Sequence, residues 1–218
     1  MILYHGSKNG IQGSIDVTKS RKTCDFGQGF YTGDRETQPK GLIASWDNHM
    51  FYTLDINIKG LKTKEFCDSY TDKMDWALYI GYNRNPEQFE NYEVLKHRYE
   101  VYNRCYDLII GVIADDKMFK LLDEFYAGRL CDKALIAGLE QVKLGKQYVF
   151  KKNTACSQSR IKIIDNRKLT QAEIKQAAVD NENRKKQTDN IVSQLNTRFR
   201  RAQDVKYFDE LMEEWNGQ

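Results

Sequence analysis

The chain has 218 residues, 40% of them hydrophobic and 30% charged, with two prolines and a formal net charge of +3. That length can bury a core without disulfides or metals, and the composition excludes wholesale disorder, collagen-like repeats and low complexity. The longest apolar run, around Leu108 to Ala114, falls far short of a bilayer span, and the N-terminus lacks a basic-then-apolar signal pattern. The expectation is a cytoplasmic protein without membrane contact.

In chain order, Met1–His5 reads as a short apolar strand ending at Gly6, followed by loop over 8–24. Phe26–Thr32 is an aromatic, glycine-punctuated strand or strand entry. A helix is expected within 36–47, with Pro39 in its first turn. Met50–Ile58 and Leu61–Phe66 read as strands. Lys73–Asn83, with Trp76, Leu78, Tyr79 and Ile80, suits a helix. Residues 84–106 are polar and tyrosine-rich and show no clear period. Asp107–Ala114 is a buried strand by its β-branched run. Helices are expected over 116–127 and 131–141, and strands over Gln147–Phe150 and Arg160–Ile164. From Thr170 the pattern is helical: Ile191, Leu195 and Phe199, then Phe208, Leu211 and Trp215, recur at helical spacing. This is an α+β body over 1–167 with a helical C-terminal extension over 168–218. The extension's apolar stripe should pack on the body, on its own second helix or on a partner.

Cysteines 24, 67, 105, 131 and 156 form no Cys-x-x-Cys pair, and His5, His49 and His97 do not cluster with them. Scattered reduced thiols and no metal site are the expectation. Residues 1–150 carry 20 basic and 21 acidic side chains, whereas 151–218 carry 14 and 10. Within 184–201, Arg184, Lys185, Lys186, Arg198, Arg200 and Arg201 stand against Asp189 alone. This run suits either a solvated helix face or contact with RNA or an acidic partner. Phe199, between Arg198 and Arg200, is the one aromatic residue among the basic ones, so there is no series of rings to stack bases.

Three motifs carry candidate chemistry. Leu3-Tyr4-His5-Gly6-Ser7 places a histidine and a glycine at the end of the opening strand. A lone histidine there equally serves to hydrogen-bond a loop. Asp25-Phe26-Gly27-Gln28-Gly29-Phe30-Tyr31-Thr32 is not a dinucleotide fingerprint, because Thr32 stands where a third small residue is needed. Nor is it a kinase Asp-Phe-Gly, which needs more preceding chain. It is a Gly-x-Gly bend that delivers aromatic rings; its glycines let backbone approach a planar ligand, and Tyr31 offers a stacking face. Lys146-Gln147-Tyr148-Val149-Phe150 opens a late strand with an amide side chain.

Together the three motifs resemble the ADP-ribosyltransferase superfamily, in particular the diphtheria-toxin-like branch that includes the poly(ADP-ribose) polymerases. There the triad is His, Tyr and Glu, and Gln147 stands here for the Glu. The resemblance extends over 3–150, through Tyr-Asp-Leu-Ile-Ile-Gly-Val-Ile-Ala-Asp-Asp at 106–116, to an uncharacterised bacterial family of this superfamily. It implies a split β-sheet core and a His5–Tyr31–Gln147 site for NAD as substrate. His5 would hydrogen-bond the adenosine-ribose 2′-hydroxyl. Gly6 would pair its backbone with the nicotinamide carboxamide, with Ser7 nearby. Tyr31, carried on Gly29 and Phe30, would stack on the nicotinamide ring. Gln147 would accept from the nicotinamide-ribose hydroxyl. Arg21 would meet the pyrophosphate or remain a solvated loop arginine.

Glutamine cannot act as a general base. Single transfer is therefore expected rather than chain elongation. A base for the acceptor would come from Asp115, Asp116 or Glu140, or be unnecessary; all three equally suit ordinary surface charge. The implied activity is mono-ADP-ribosylation of a protein or nucleic-acid acceptor, as a toxin with a cognate antitoxin or as a phage-defence effector. The alternatives are an NAD glycohydrolase, an RNA 2′-phosphotransferase, or a degenerate binding module.

Overall fold

A computed structural model describes residues 1–113, 116–141, 145–199 and 201–217. Seven strands form one mixed sheet: β1 (Ile2–Ser7), β2 (Phe30–Gly33), β3 (Met50–Ile56), β4 (Thr63–Glu65), β5 (Leu108–Val112), β6 (Lys146–Phe150) and β7 (Ile161–Arg167). The spatial order is β4-β5-β6-β2-β1-β3-β7. β4 runs parallel to β5, and every other neighbouring pair is antiparallel. The described residues also form seven α-helices: α1 (Thr37–Ile43), α2 (Tyr70–Arg84), α3 (Glu93–Cys105), α4 (Asp116–Tyr126), α5 (Asp132–Gln141), α6 (Gln171–Phe199) and α7 (Phe208–Asn216). The α+β class expected from the sequence is present. Among the described residues, no helix is long and apolar enough to cross a membrane.

Alternation along the strands sorts the core into two faces. On one, Ile109 and Val149 meet Trp76, Tyr79, Leu121, Phe125 and Leu135 from α2, α4 and α5. On the other, Leu3, Phe30, Leu54 and Phe150 gather under Ile11, Ile15, Val17 and the 153–156 turn. A smaller cluster seats Ile43 of α1 on Phe51, with Leu169.

The elements differ from their sequence outlines in instructive places. β1 continues through Gly6 and Ser7, because both still pair with β3, at Phe51 and Met50. Residues 25–29 lie outside β2, and Gly27 turns the chain at φ +67°. α2 begins at Tyr70, where the Ser69 hydroxyl accepts from the Asp72 amide at 3.0 Å as an N-cap. The unplaced 84–106 stretch is a 3₁₀ turn followed by α3. Its period is hidden because Leu95 is its one buried aliphatic and tyrosines complete its packing: Tyr99, buried, and Tyr102, partly buried, pack on Tyr79 with ring centroids 5.6 Å away in each case. In the C-terminal extension, Val192, Leu195, Phe208, Leu211, Met212 and Trp215 join the first core face, so its stripe packs on the body.

Candidate functional site: the opening between β1 and β2

β1 pairs with β3 in unbroken register from Ile2↔Asp55 to Ser7↔Met50, but its register with β2 holds at Tyr4↔Gly33 alone. Met1 and Ile56 exchange both backbone bonds, at 2.9 and 2.8 Å. Antiparallel alternation then turns the N–H and C=O groups of residues 3, 5 and 7 toward β3, and those of 4 and 6 toward β2. Beyond Tyr4 the two strands part. A side chain bridges the gap: His5 Nδ1 donates to the Tyr31 carbonyl at 2.7 Å. Because a carbonyl only accepts, Nδ1 carries the proton and Nε2 keeps its lone pair. The imidazole thus takes the carbonyl that a continued ladder would give to Gly6, and the Gly6 N–H and C=O face the opening.

The His5 ring lies 4.4 Å from the Phe30 ring and 6.0 Å from Tyr52, centroid to centroid. Desolvation by this surrounding pushes its pKa down to about 4, with the bond to Tyr31 acting in the opposite direction. Gly6 is required by its neighbours: a Cβ there would lie 2.7 Å from Pro39 O and 2.8 Å from Ile43 Cγ2, so α1 could not sit on β1. Gly29 is required for the same kind of reason, with Val149 Cγ1 and Phe150 O at 2.6 and 2.9 Å from such a Cβ.

Tyr31 and Gln147 project from the face opposite His5. Tyr31 pairs with Val149 and Gly33 with Gln147, so the two side chains are diagonal neighbours across β2 and β6. The Tyr31 hydroxyl donates to Gly27 O at 2.6 Å and accepts from the Phe26 amide at 3.0 Å. It is thereby a strut for the Asp25–Gly27 turn. Gln147 is 4% exposed, and its Nε2 donates to Val112 O at 3.3 Å. His5 therefore flanks β2 on its β1 edge and Gln147 on its β6 edge, and the side chains of Tyr31 and Gln147 lie on the face opposite that of His5.

Behind Tyr31 lies a polar cluster. The Asp25 carboxylate is ion-paired with Arg84, whose guanidinium lies 2.8 Å from the Phe119 ring centroid. Burial raises the Asp25 pKa, while Arg84 and the Gln147 amide beside it favour its charged form. Lys151, directly after β6, bonds Phe26 O and, at 3.0 Å, Asn103 Oδ1. Asn103 in turn donates to Asn83 at 2.8 Å. Burial lowers the Lys151 pKa to about 7. The sequence reading missed Arg84, Lys151, Asn83 and Asn103 as site neighbours. The one local signal is a lysine directly after the apolar end, Val149-Phe150, of β6.

The remaining candidates are placed as follows. Ser7 ends β1 opposite Met50. Phe30 packs on His5 from the second core face. Arg21 is exposed on the loop before the second motif, beside the Cys24 thiol. Asp115 and the side chain of Asp116 lie outside the described residues, as do Arg200 and the side chains of Arg184, Lys185 and Asp189. Glu140 is exposed on α5 and ion-paired with Lys73 at 3.0 Å. Lys186 pairs with Glu182 at 2.8 Å one helical turn away, the geometry of a solvated face.

No curated protein and no solved structure matches the chain. A family model described as "Protein of unknown function (DUF3990)" matches residues 1–160, a span that runs from β1 to the threshold of β7 and takes in the whole opening, and the chain belongs to that family.

Proposed function

We propose that the chain is an NAD-dependent mono-ADP-ribosyltransferase. The observation that carries this reading is the β1–β2 opening: the ladder stops at Tyr4↔Gly33, His5 takes the Tyr31 carbonyl, and the Gly6 N–H and C=O, without a backbone partner among the described residues, turn toward the gap, with the Tyr31 and Gln147 side chains diagonal across β2 and β6. A primary carboxamide is the natural complement of such a backbone pair: its NH₂ donates to the carbonyl and its C=O accepts from the amide. Nicotinamide carries that group. The Tyr31 ring, held by its hydroxyl, offers a face to the pyridinium, and His5 Nε2 is an acceptor for a ribose hydroxyl. Gln147 accepts from the nicotinamide-ribose hydroxyl.

In the reaction the bond from ribose C1′ to the nicotinamide nitrogen breaks, its electron pair leaving with neutral nicotinamide. The acceptor's nucleophilic atom bonds C1′ and releases its proton to solvent or to a neighbouring base. Clamping the ring and polarising the ribose are tasks of position and electrostatics, for which a neutral amide suffices in single transfer. The acceptor is a protein or nucleic acid, and the cellular role is that of a cytoplasmic toxin, with a cognate antitoxin, or of a defence effector.

Incubation with NAD labelled in the adenylate phosphate and a cell lysate is expected to label an acceptor. His5→Ala and Gln147→Ala should abolish transfer. Calorimetry that shows no NAD binding by the parent would sink the proposal. NAD binding without label or free ADP-ribose would favour a binding module, the reading that the buried, neutral Gln147 supports.

A further inference from the structure

α1 bears directly on the opening. Cross-strand partners share a face of the sheet, so Tyr4, Gly33 and Gln147 point to one side, and alternation adds Gly6 and Tyr31 to it. On that side the Pro39 carbonyl and the Ile43 side chain close on Gly6. α1 is therefore the wall beside the Gly6 backbone, on the face that carries the Tyr31 and Gln147 side chains. It is a weak helix by itself. Its seven residues include Pro39 and Gly41, Glu36 makes no side-chain bond as its N-cap, and a helix this short does not persist in water without packing.

What holds α1 in place lies beyond residue 160, where the family match ends. Glu173, in the first turn of α6, is fixed from its own side. Arg167 Nη1 and Nη2 donate to its two oxygens at 2.8 Å each. Thr170 and Glu173 form a capping box: the Thr170 amide donates to Oε2 at 2.9 Å, and the Thr170 hydroxyl accepts from the Glu173 amide at 3.2 Å. Lys40 of α1 reaches this carboxylate at 2.9 Å, in a pair whose side chains are 17% and 22% exposed and so largely enclosed. Two further bonds tie the turn after α1 to the same segment. The Leu169 amide donates to His49 Nε2 at 2.9 Å, and Lys168 Nζ donates to Asp47 O at 3.1 Å. Leu169 and Ile174 pack with Ile43 and Phe51.

We propose that residues 168–174 clamp α1 against the sheet, with Glu173 and Lys40 as positioning residues for the Gly6 side of the opening. The proposal rests on the NAD reading for the identity of the ligand, but not for the clamp. It makes the start of the C-terminal extension part of the site, since the wall beside Gly6 is held from outside the family-matched span. Lys40 is the removable link. Without it Glu173 keeps Arg167 and Thr170, and Ile43 keeps its apolar seat, so α1 stays attached but loses its fixed position. The part of the ligand that feels this is the carboxamide paired with the Gly6 backbone.

The test compares Lys40→Met, which keeps the apolar stem and removes the charge, with Lys40→Arg, which can still reach Glu173. Hydrogen exchange of the α1 amides, read by mass spectrometry on peptides spanning 37–44, is expected to be several-fold faster in Lys40→Met and to return to the parent rate in Lys40→Arg. By calorimetry, Lys40→Met should bind NAD about threefold to tenfold more weakly, while its affinity for ADP-ribose, which lacks the carboxamide, stays at the parent value. Glu214→Gln, which breaks the ion pair with Lys206 elsewhere in the extension, should change neither exchange in α1 nor NAD affinity. Unchanged α1 exchange in Lys40→Met overturns the clamp whether or not NAD binds. Faster exchange with NAD affinity unchanged, or lowered equally with that for ADP-ribose, overturns the positioning role and leaves Lys40 a structural contact. If α1 exchange follows the Lys40 variants while none of the proteins, the parent included, binds NAD, the clamp stands and the NAD reading falls.

Discussion

Acid should destabilise the protein through His5 in a window that a single substitution removes. The folded chain holds this imidazole neutral down to about pH 4, whereas in the unfolded chain it takes up its proton near 6.5. Between those values the unfolded state binds more protons, so acidification favours unfolding. The contribution is complete above pH 6.5 and is lost as the pH falls toward 4. At about 1.4 kcal/mol per pKa unit the difference amounts to about 3 kcal/mol. His5→Asn keeps an N–H donor for the Tyr31 carbonyl and removes the titration. Urea unfolding of parent and variant from pH 7 to pH 4, followed by tryptophan fluorescence, isolates the effect, because the carboxylates titrate in both proteins. The stability difference between them should shift by about 3 kcal/mol across that range, the parent losing more. Parallel curves would refute the neutral, desolvated ring, and with it the lone pair on Nε2 that the site offers to a ribose hydroxyl.

Other perturbations test neighbouring parts of the same construction. Lys151, lowered to about 7 by burial, is neutral in the folded protein at alkaline pH while still charged in the unfolded chain. The parent should therefore gain stability relative to Lys151→Met by up to about 1.4 kcal/mol per pH unit between pH 7 and 9; a flat difference in urea midpoints would contradict this. Tyr31→Phe removes the bonds to Gly27 O and the Phe26 amide and should cost about 1–3 kcal/mol. NAD affinity should stay within a few-fold of the parent, since the ring face remains. Gly6→Ala drives a Cβ into Pro39 O and should cost about 1–3 kcal/mol in thermal or urea unfolding. Trp215→Ala, at a residue 6% exposed in the first core face, should cost about 3–5 kcal/mol, which a salt-sensitive solvated tail would not.

Local pattern and long-range pairing divide what the sequence reveals from what it conceals. The strands at 50–56 and 108–112 are legible because β-branched and aromatic residues alternate or run together over a buried span. The apolar stripe of α6 and α7 is legible because it repeats at helical spacing. α3 is not, because Leu95 is its one buried aliphatic and the tyrosines that complete its packing read as polar. In the candidate site, His5, Tyr31 and Gln147 stand in motifs a few residues long and are visible as such. Their relation across the sheet is invisible, since whether β1 and β2 pair or part depends on a histidine bonding a carbonyl 26 residues away. The Asp25–Arg84 ion pair spans 59 residues, and the Lys151–Asn103 bond spans 48. No periodicity records such contacts.

The energetics of the cluster behind Tyr31 bear on what it is for. Charged pairs enclosed away from water are poor sources of stability, and apolar side chains of similar volume often replace them without loss. Asp25 with Arg84, and Lys151 with two oxygen acceptors, are therefore an expensive way to brace a turn. Yet they converge on one short segment: Lys151 and Asn83 hold its carbonyls, Arg84 its carboxylate, and Tyr31 its amide at Phe26 and carbonyl at Gly27. A packed apolar core would hold such a turn as firmly but would leave its backbone donors and acceptors unmatched. Hydrogen-bonding groups match them one by one, because a donor and an acceptor are not interchangeable. The arrangement trades stability for a fixed turn directly before β2, the strand that parts from β1 beyond Tyr4 in the interior of the sheet.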